Sequence, residues 1–325
     1  MKVLIIRFSS IGDIVLTSPV LRCLKQQVKD VRIHFATKSP FADLVRFSPH
    51  VDRLHTLTDR SGGLIQELKA ERFDLVIDLH HNLRTSRIKR ALGVPSRSFP
   101  KLNVEKWLLV NLKLDRLPRM HIVDRYLSTL EDLGVRNDRM GLDLFIPPDR
   151  EVPIDELPSS HRQGYTALAI GAAHTTKRLP LHKLTELAQA VEGPLVLIGG
   201  GTDKAVAAAI QTAVGGRAFD ATGRFDILGS ASLIRRANSV IAHDSGAMHV
   251  AAAFRRKVVS VWGSTAPVFG MGPYIPEHPE RAIVAEVQGL ACRPCSKIGF
   301  DRCPQGHFRC MERQDIAAIA QAARP

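Results

Sequence analysis

Short aliphatic and β-branched runs alternate with helical patterns along this chain, and the alternation happens twice. In the first half, strand-like runs fall at 3–7, 31–36, 53–57, 74–79 and 142–146. Helical patterns lie between them, around 18–28, 41–47, 64–71, 83–92 and 121–133. Pro147, Pro148, Pro153, Pro158 and Gly164 then break the pattern, a density of Pro and Gly that reads as a linker. Beyond it the alternation restarts, with strands at 166–170, 195–198, 218–221, 239–242 and 258–262. Helices are expected at 181–191, 203–214, 227–236 and 246–254, and a final one at 316–323 can reach back to the first domain in a tandem fold. Strands separated by helices predict a parallel sheet covered on both faces. The expectation is therefore an α/β chain of two doubly wound, Rossmann-like domains, 1–150 and 151–325, facing a cleft lined by strand ends.

Open α/β sheets bind ligands at the carboxyl ends of their strands, so the residues there carry the functional signal. After the first strand comes Ser9-Ser10-Ile11-Gly12-Asp13. It is neither a dinucleotide fingerprint nor a phosphate loop with a lysine. It offers one carboxylate, Asp13, either as a general base or as a helix-capping side chain. In the second half four strand ends carry small, polar, anion-friendly residues. The first is Gly171 through His174-Thr175-Thr176-Lys177 to Pro180, where Lys177 can neutralise a phosphate and Thr175 and Thr176 can donate to it. The second is Gly199-Gly200-Gly201-Thr202-Asp203. The third is His243-Asp244-Ser245-Gly246-Ala247-Met248-His249, a turn opening a helix whose free N–H groups suit an anion. The fourth is Gly263-Ser264-Thr265-Ala266-Pro267. Each alone reads equally as a capped helix or a tight turn; four on one edge point to a nucleotide.

Charge agrees with an anionic partner. The 325 residues carry a formal net charge of +13, and residues 1–150 hold 26 Lys/Arg against 17 Asp/Glu. Only three Tyr and two Trp are present, poor material for base stacking, so nucleic acid is not expected. Arg84, Arg87, Lys89 and Arg90 on the helix at 83–92 are candidate contacts for an acidic acceptor, or a solvated basic face. No apolar run reaches 18 residues and the N-terminus reads as a strand, so a cytoplasmic protein without a transmembrane segment is expected. Four of the five cysteines cluster as Cys292-x-x-Cys295, Cys303 and Cys310, with His307 among them. They read as a structural zinc site, as free thiols or as an oxidation-sensitive pair. No Asp-x-Asp pair exists to hold a divalent metal on a diphosphate, so Lys177 and helix N-termini would carry leaving-group charge.

The stretches from Ser9 to Pro19, from Gly171 to Pro180, from Asp244 to Ala253 and from Gly263 to Pro267 resemble glycosyltransferase family 9, the bacterial lipopolysaccharide heptosyltransferases. The resemblance implies a GT-B fold, with the acceptor in the N-terminal domain and the nucleotide-sugar in the C-terminal one. It also implies inverting transfer without a metal, usually from ADP-heptose. Carried across, Asp13 is the catalytic base and Lys177 acts on the donor phosphates. Asp244, Ser245, Gly246 and His249 belong to the donor site. Thr175, Thr176, Gly199 and Gly200 are added as donor contacts, and Asp203 as the acidic group nearest a ribose. Ser10, Gly12, Arg84 and Arg87 are added on the acceptor side. Some members carry a threonine pair five and four residues before the lysine; Ala172-Ala173 stand there, so Thr175 and Thr176 would substitute.

The expected reaction is one in-line displacement, in which an acceptor hydroxyl attacks the anomeric carbon, Asp13 takes its proton, and the diphosphate leaves toward Lys177. The expected acceptor is an anionic glycolipid at the inner membrane surface, which adds a peripheral membrane location. Two other readings stand beside it: transfer of another nucleotide-activated sugar, and non-catalytic binding of a nucleotide or polyanion on the same fold.

Overall fold

A computed structural model describes residues 1–58 and 61–324. The chain forms two compact units. The first is Met1–Lys101 with Met120–Phe145, and the second is Leu102–Arg119 with Ile146–Pro325. The boundary after Phe145 lies close to the expected one. The inclusion of Leu102–Arg119 in the second unit left no mark in the alternation pattern.

The first unit holds a five-stranded parallel sheet. Its strands are β1 (Lys2–Ile6), β2 (Arg32–Lys38), β3 (Arg53–Leu57), β4 (Leu75–Asp78) and β5 (Ser96–Ser98), in the order β3-β2-β1-β4-β5. β1 and β4 are almost wholly buried, as parallel strands covered on both faces must be. Leu4, Ile6, Phe8, Val76 and Ile88 form one core cluster there. The run at 142–146, expected as a strand, is irregular. Its backbone donor is spent on a side chain, since Asp143 N–H donates to Ser18 Oγ at 2.8 Å. Buried Arg22 holds the same stretch through Asp138, Asp143 and the Gly141 carbonyl. β5 escaped notice because its three residues, Ser-Arg-Ser, have no apolar alternation.

The second unit holds a six-stranded parallel sheet: β6 (Thr166–Ala169), β7 (Leu195–Ile198), β8 (Ala218–Asp220), β9 (Ser239–His243), β10 (Lys257–Trp262) and β11 (Ala282–Glu286). The order is β11-β10-β9-β6-β7-β8. β11 was not expected; it is an edge strand with Val284 exposed, so its hydrophobic signal is weak. The final helix, Ile316–Ala322, is part of the second unit's core. Ile316, Ile319 and Ala320 are buried with Leu184 and Leu187 of the helix Leu181–Ala190, within the core of the second unit.

Both sheets reverse direction of growth once. In the first the switch lies between β1 and β4, and in the second between β6 and β9. Doubly wound sheets open their ligand crevice at such a point. The loops after β1, β4, β6 and β9 therefore define where chemistry is to be sought.

Candidate active site

In the first unit, β1 delivers Arg7, which is 9% exposed, and then Asp13 on the short helix Ile11–Val15. Arg7 Nη2 lies 2.6 Å from Asp13 Oδ1. Ser10 donates its backbone N–H to Asp13 Oδ2 at 3.1 Å and its hydroxyl to the same oxygen at 2.8 Å. Burial works against ionisation of Asp13. The Arg7 guanidinium and the two Ser10 donors outweigh it and hold the carboxyl below its ordinary value. Asp13 keeps 23% of its side-chain surface, so a ligand can reach it. The two readings of Asp13 thus merge: it braces the helix start and remains an accessible anion. Gly12 is buried within the same turn, and Ser10 is exposed.

The β4 end adds a second charged cluster. Asp78 is fully buried, 3.0 Å from Lys89 Nζ, and accepts N–H donations from His80 and His81. Burial, reinforced by Arg7, pushes the His80 imidazole down to about 4, so it is neutral at physiological pH. Arg84 is exposed, with its guanidinium carbon 5.9 Å from the centre of the Phe8 ring that follows β1. Arg87 is exposed one turn further along the helix Leu83–Leu92. Arg84 therefore stands at the switch point. For Arg87 the structure adds only exposure.

In the second unit, Lys177 Nζ lies 2.6 Å from Asp244 Oδ2, and both side chains are largely buried. Thr265 donates its hydroxyl to the same Asp244 oxygen at 2.7 Å. Three strand ends, those of β6, β9 and β10, thus meet on one carboxylate. Ser245 is the residue before the helix Gly246–Ala253; its hydroxyl oxygen is shielded and has no hydrogen-bond partner among the described residues. The first N–H groups of that helix have no intrahelical acceptors, and the helix begins two residues after Asp244, which Lys177 contacts. His249 is 3% exposed on the same helix.

The two threonines separate. Thr175 is exposed. Thr176 is 2% exposed and its hydroxyl is already used: it lies 2.9 Å from Ser264 Oγ, donates to Phe300 O at 3.0 Å and accepts from Phe300 N–H at 2.8 Å. Asp203 is 5% exposed, accepts from Gly200 N–H at 2.9 Å and pairs with Arg178 at 2.9 Å. Its carboxylate fills the space against Gly199, where a Cβ would come within 2.9 Å of Asp203 Oδ2. Thr176 and Asp203 thus hold loops in shape, and the atoms a donor would need are engaged within the protein.

Several site residues carried no signal of their own in the sequence. Arg7 is an apparent end-of-strand charge until its partner is seen. His243 accepts the Leu179 N–H at 2.9 Å on Nε2, tying the lysine loop to β9; burial pushes it down to about 4. Arg293 donates to Gly263 O at 2.7 Å and Thr265 O at 3.0 Å, fixing the β10 loop from the cysteine-rich segment. Gly263 is closely packed: an added Cβ would lie 2.6 Å from the Thr176 carbonyl oxygen and 2.6 Å from Met311 Cε. Gly263→Ala is expected to cost about 1–3 kcal/mol of stability, read as a lowered denaturation midpoint. A wild-type midpoint would show that the loop relaxes freely.

Two groups of residues carry metal-ligating atoms, His34 with His55 and Glu71, and the cysteines with His307. Among the described residues, His34, His55 and Glu71 alone bring three ligand atoms within 4.8 Å of one another. They satisfy each other already. His55 Nδ1 donates to Glu67 at 2.6 Å, leaving His55 Nε2 to accept from His34 Nδ1 at 2.9 Å, while Glu71 pairs with Lys2 and Arg53. Burial and the neighbouring His55 push His34 down to about 4, so its imidazole is neutral. This group sits by the amino ends of β1 and β3, away from Asp13. Cys292 Sγ lies 3.9 Å from His307 Nε2, and burial raises the Cys295 and Cys310 thiols, Cys310 to about 12.

The sequence profile of glycosyltransferase family 9 (heptosyltransferase) matches residues 62–298. The chain is 22% identical over 292 residues to lipopolysaccharide heptosyltransferase 1 of Campylobacter coli, covering 82% of this chain and 84% of that one. Its fold superposes on a glycosyltransferase family 9 structure from Veillonella parvula DSM 2008 with a TM-score of 0.78 at 24% identity, covering 99% and 96% of the two chains. It superposes on the ADP-heptose lipopolysaccharide heptosyltransferase II of Escherichia coli with a TM-score of 0.71 at 20% identity, covering 99% of each.

Proposed function

Since the chain belongs to glycosyltransferase family 9, we propose that it moves heptose from ADP-heptose to a phosphorylated inner-core lipopolysaccharide acceptor, with inversion and without a metal. The observation that carries this reading is a pairing of opposite devices at the two switch points. One holds an accessible carboxylate ionised, Asp13 beside Arg7. The other presents a lysine beside an open helix start, Lys177 at Gly246–Ala253. The likeness to an ADP-heptose enzyme supports the donor.

In the proposed step the acceptor oxygen forms a bond to the anomeric carbon as the bond to the diphosphate breaks. The acceptor's proton goes to Asp13 and ADP leaves as an anion. A lowered pKa keeps Asp13 ionised but makes it a modest base. Proton transfer is therefore late, after partial bonding to an oxocarbenium-like carbon has acidified the hydroxyl. The departing phosphate is met by Lys177 and the N–H groups at Gly246 and Ala247, charges already oriented before reaction. Ser245 Oγ is a further donor. Arg84 and Arg87 suit phosphates on the acceptor.

Screening ADP-, GDP- and UDP-sugars for binding and turnover tests the donor; preference for GDP- or UDP-sugars would overturn it. Metal independence has its own test. Turnover in excess EDTA is expected to stay within about twofold of the untreated rate, because lysine and helix dipole replace the cation. Loss of activity restored by a divalent metal would refute that part.

A further inference from the structure

The segment Leu102–Arg119 has apolar side chains on two faces, and only one is used. On the inner face Leu109 and Leu117 are buried with Phe269, joined by Leu102, Val110, Val268 and Met271. The outer face is bare: Val104 is 68% exposed, Trp107 56%, Leu112 52% and Leu114 49%. Val104 and Trp107 are three residues apart on the helical turn Asn103–Trp107, so they share a face. An ordinary surface helix turns its apolar stripe inward and a polar one outward. A tryptophan and three aliphatic side chains left in water within eleven residues mark a contact surface.

The charges say what it contacts. The segment holds Lys106, Lys113, Arg116 and Arg119 against Glu105 and Asp115. Asp115 is neutralised by Arg119 at 2.7 Å. Lys113 is held by the carbonyl oxygens of Val110, Cys292 and Pro294, none of them an anion, so its charge stays uncompensated. Arg116 is exposed. Within six residues of Pro294, Ile298 is 57% and Phe300 39% exposed, with Lys297 exposed beside them. Exposed Trp and Leu framed by uncompensated Lys and Arg fit an anionic lipid surface, where the ring sits at headgroup depth and the cations meet phosphates.

We propose that Leu102–Arg119, with its Trp107 face, docks the second unit on an anionic membrane. The proposal rests on the glycolipid-acceptor reading for its purpose, but its test needs no sugar transfer. Trp262, the other tryptophan, is 1% exposed, so a fluorescence change on adding vesicles reports Trp107. The full chain should co-sediment with phosphatidylglycerol–phosphatidylethanolamine vesicles and not with pure phosphatidylcholine, and its emission should shift to shorter wavelength. Trp107→Glu and Val104→Asp should each lower the partition coefficient about tenfold, and Trp107→Phe should retain binding. ADP affinity and transfer to a water-soluble, delipidated acceptor should be unchanged in all three. Absence of vesicle binding, binding without an emission shift, or binding indifferent to Trp107→Glu would overturn the proposal. A dimer in solution that Trp107→Glu dissolves would instead assign the face to a second copy of the chain. Vesicle binding that holds while no acceptor is glycosylated would sink the transfer reading and leave the surface standing.

Discussion

Asp13→Asn is expected to lower heptosyl turnover by about 10²- to 10⁴-fold, the range a positioned general base contributes, while ADP binding stays at the wild-type level. The substitution keeps the shape that Ser10 and Arg7 recognise but removes the site that accepts the proton. Asn leaves Arg7 without its counter-ion, so a melting curve must accompany the rate. Arg7→Met supplies the second arm. It frees Asp13 from its strongest stabilising charge, so the carboxyl should climb toward its ordinary value. The pH dependence has a definite sign. A depressed pKa means the ionised form persists as pH falls, and the ion pair's contribution to stability is lost only as pH passes through that depressed value. The profile of kcat/KM should therefore show no acid limb from Asp13 above about pH 4, and in Arg7→Met a limb should move upward. Near-normal turnover in Asp13→Asn with intact folding would end the base assignment.

Lys177→Met should produce the second large loss, about 10²- to 10³-fold in turnover with weakened ADP binding, the scale seen when one preorganised charge stabiliser is removed. Its partner is the control. If Lys177 served only to neutralise Asp244, the pair Lys177→Met and Asp244→Asn together would restore much of what either loses. If Lys177 meets the leaving phosphate, the double variant should remain as slow as Lys177→Met alone. Thr265→Val probes the positioning of Asp244, because its hydroxyl shares the Asp244 oxygen that Lys177 contacts. It should cost far less, roughly one hydrogen bond of about 1 kcal/mol. Double-variant rescue would contradict the phosphate role.

The fold was legible in the sequence because buried parallel strands write continuous aliphatic runs, as β1, β4 and β7 do. What the sequence hid was short, exposed or non-periodic: β5, the edge strand β11, and the helical segment from Asn103 to Leu112, whose apolar residues point both inward and out. The strand expected at 142–146 misled because Leu142 and Leu144 are buried without joining a ladder, held by Arg22 and Ser18. Residue type and place at a strand end were enough to single out Asp13, Lys177 and Asp244 as candidates. Pattern could not distinguish a hydroxyl or carboxylate presented to a ligand from one consumed by the protein. Thr176 and Asp203 look like Thr175 and Asp13 in the sequence, and burial separates them: Thr176 and Asp203 are closed off, whereas Thr175 is exposed and Asp13 keeps part of its surface. Arg7 was invisible for the same reason: its meaning lies in a 2.6 Å contact across a turn.

The most direct test of inverting heptosyl transfer is a reaction of the purified chain with ADP-heptose and a phosphorylated inner-core acceptor, with the anomeric configuration of the product read by NMR. The account predicts stoichiometric ADP and a product linkage of configuration opposite to the donor. A product of retained configuration, or a full complement of substrates yielding no ADP, would contradict it.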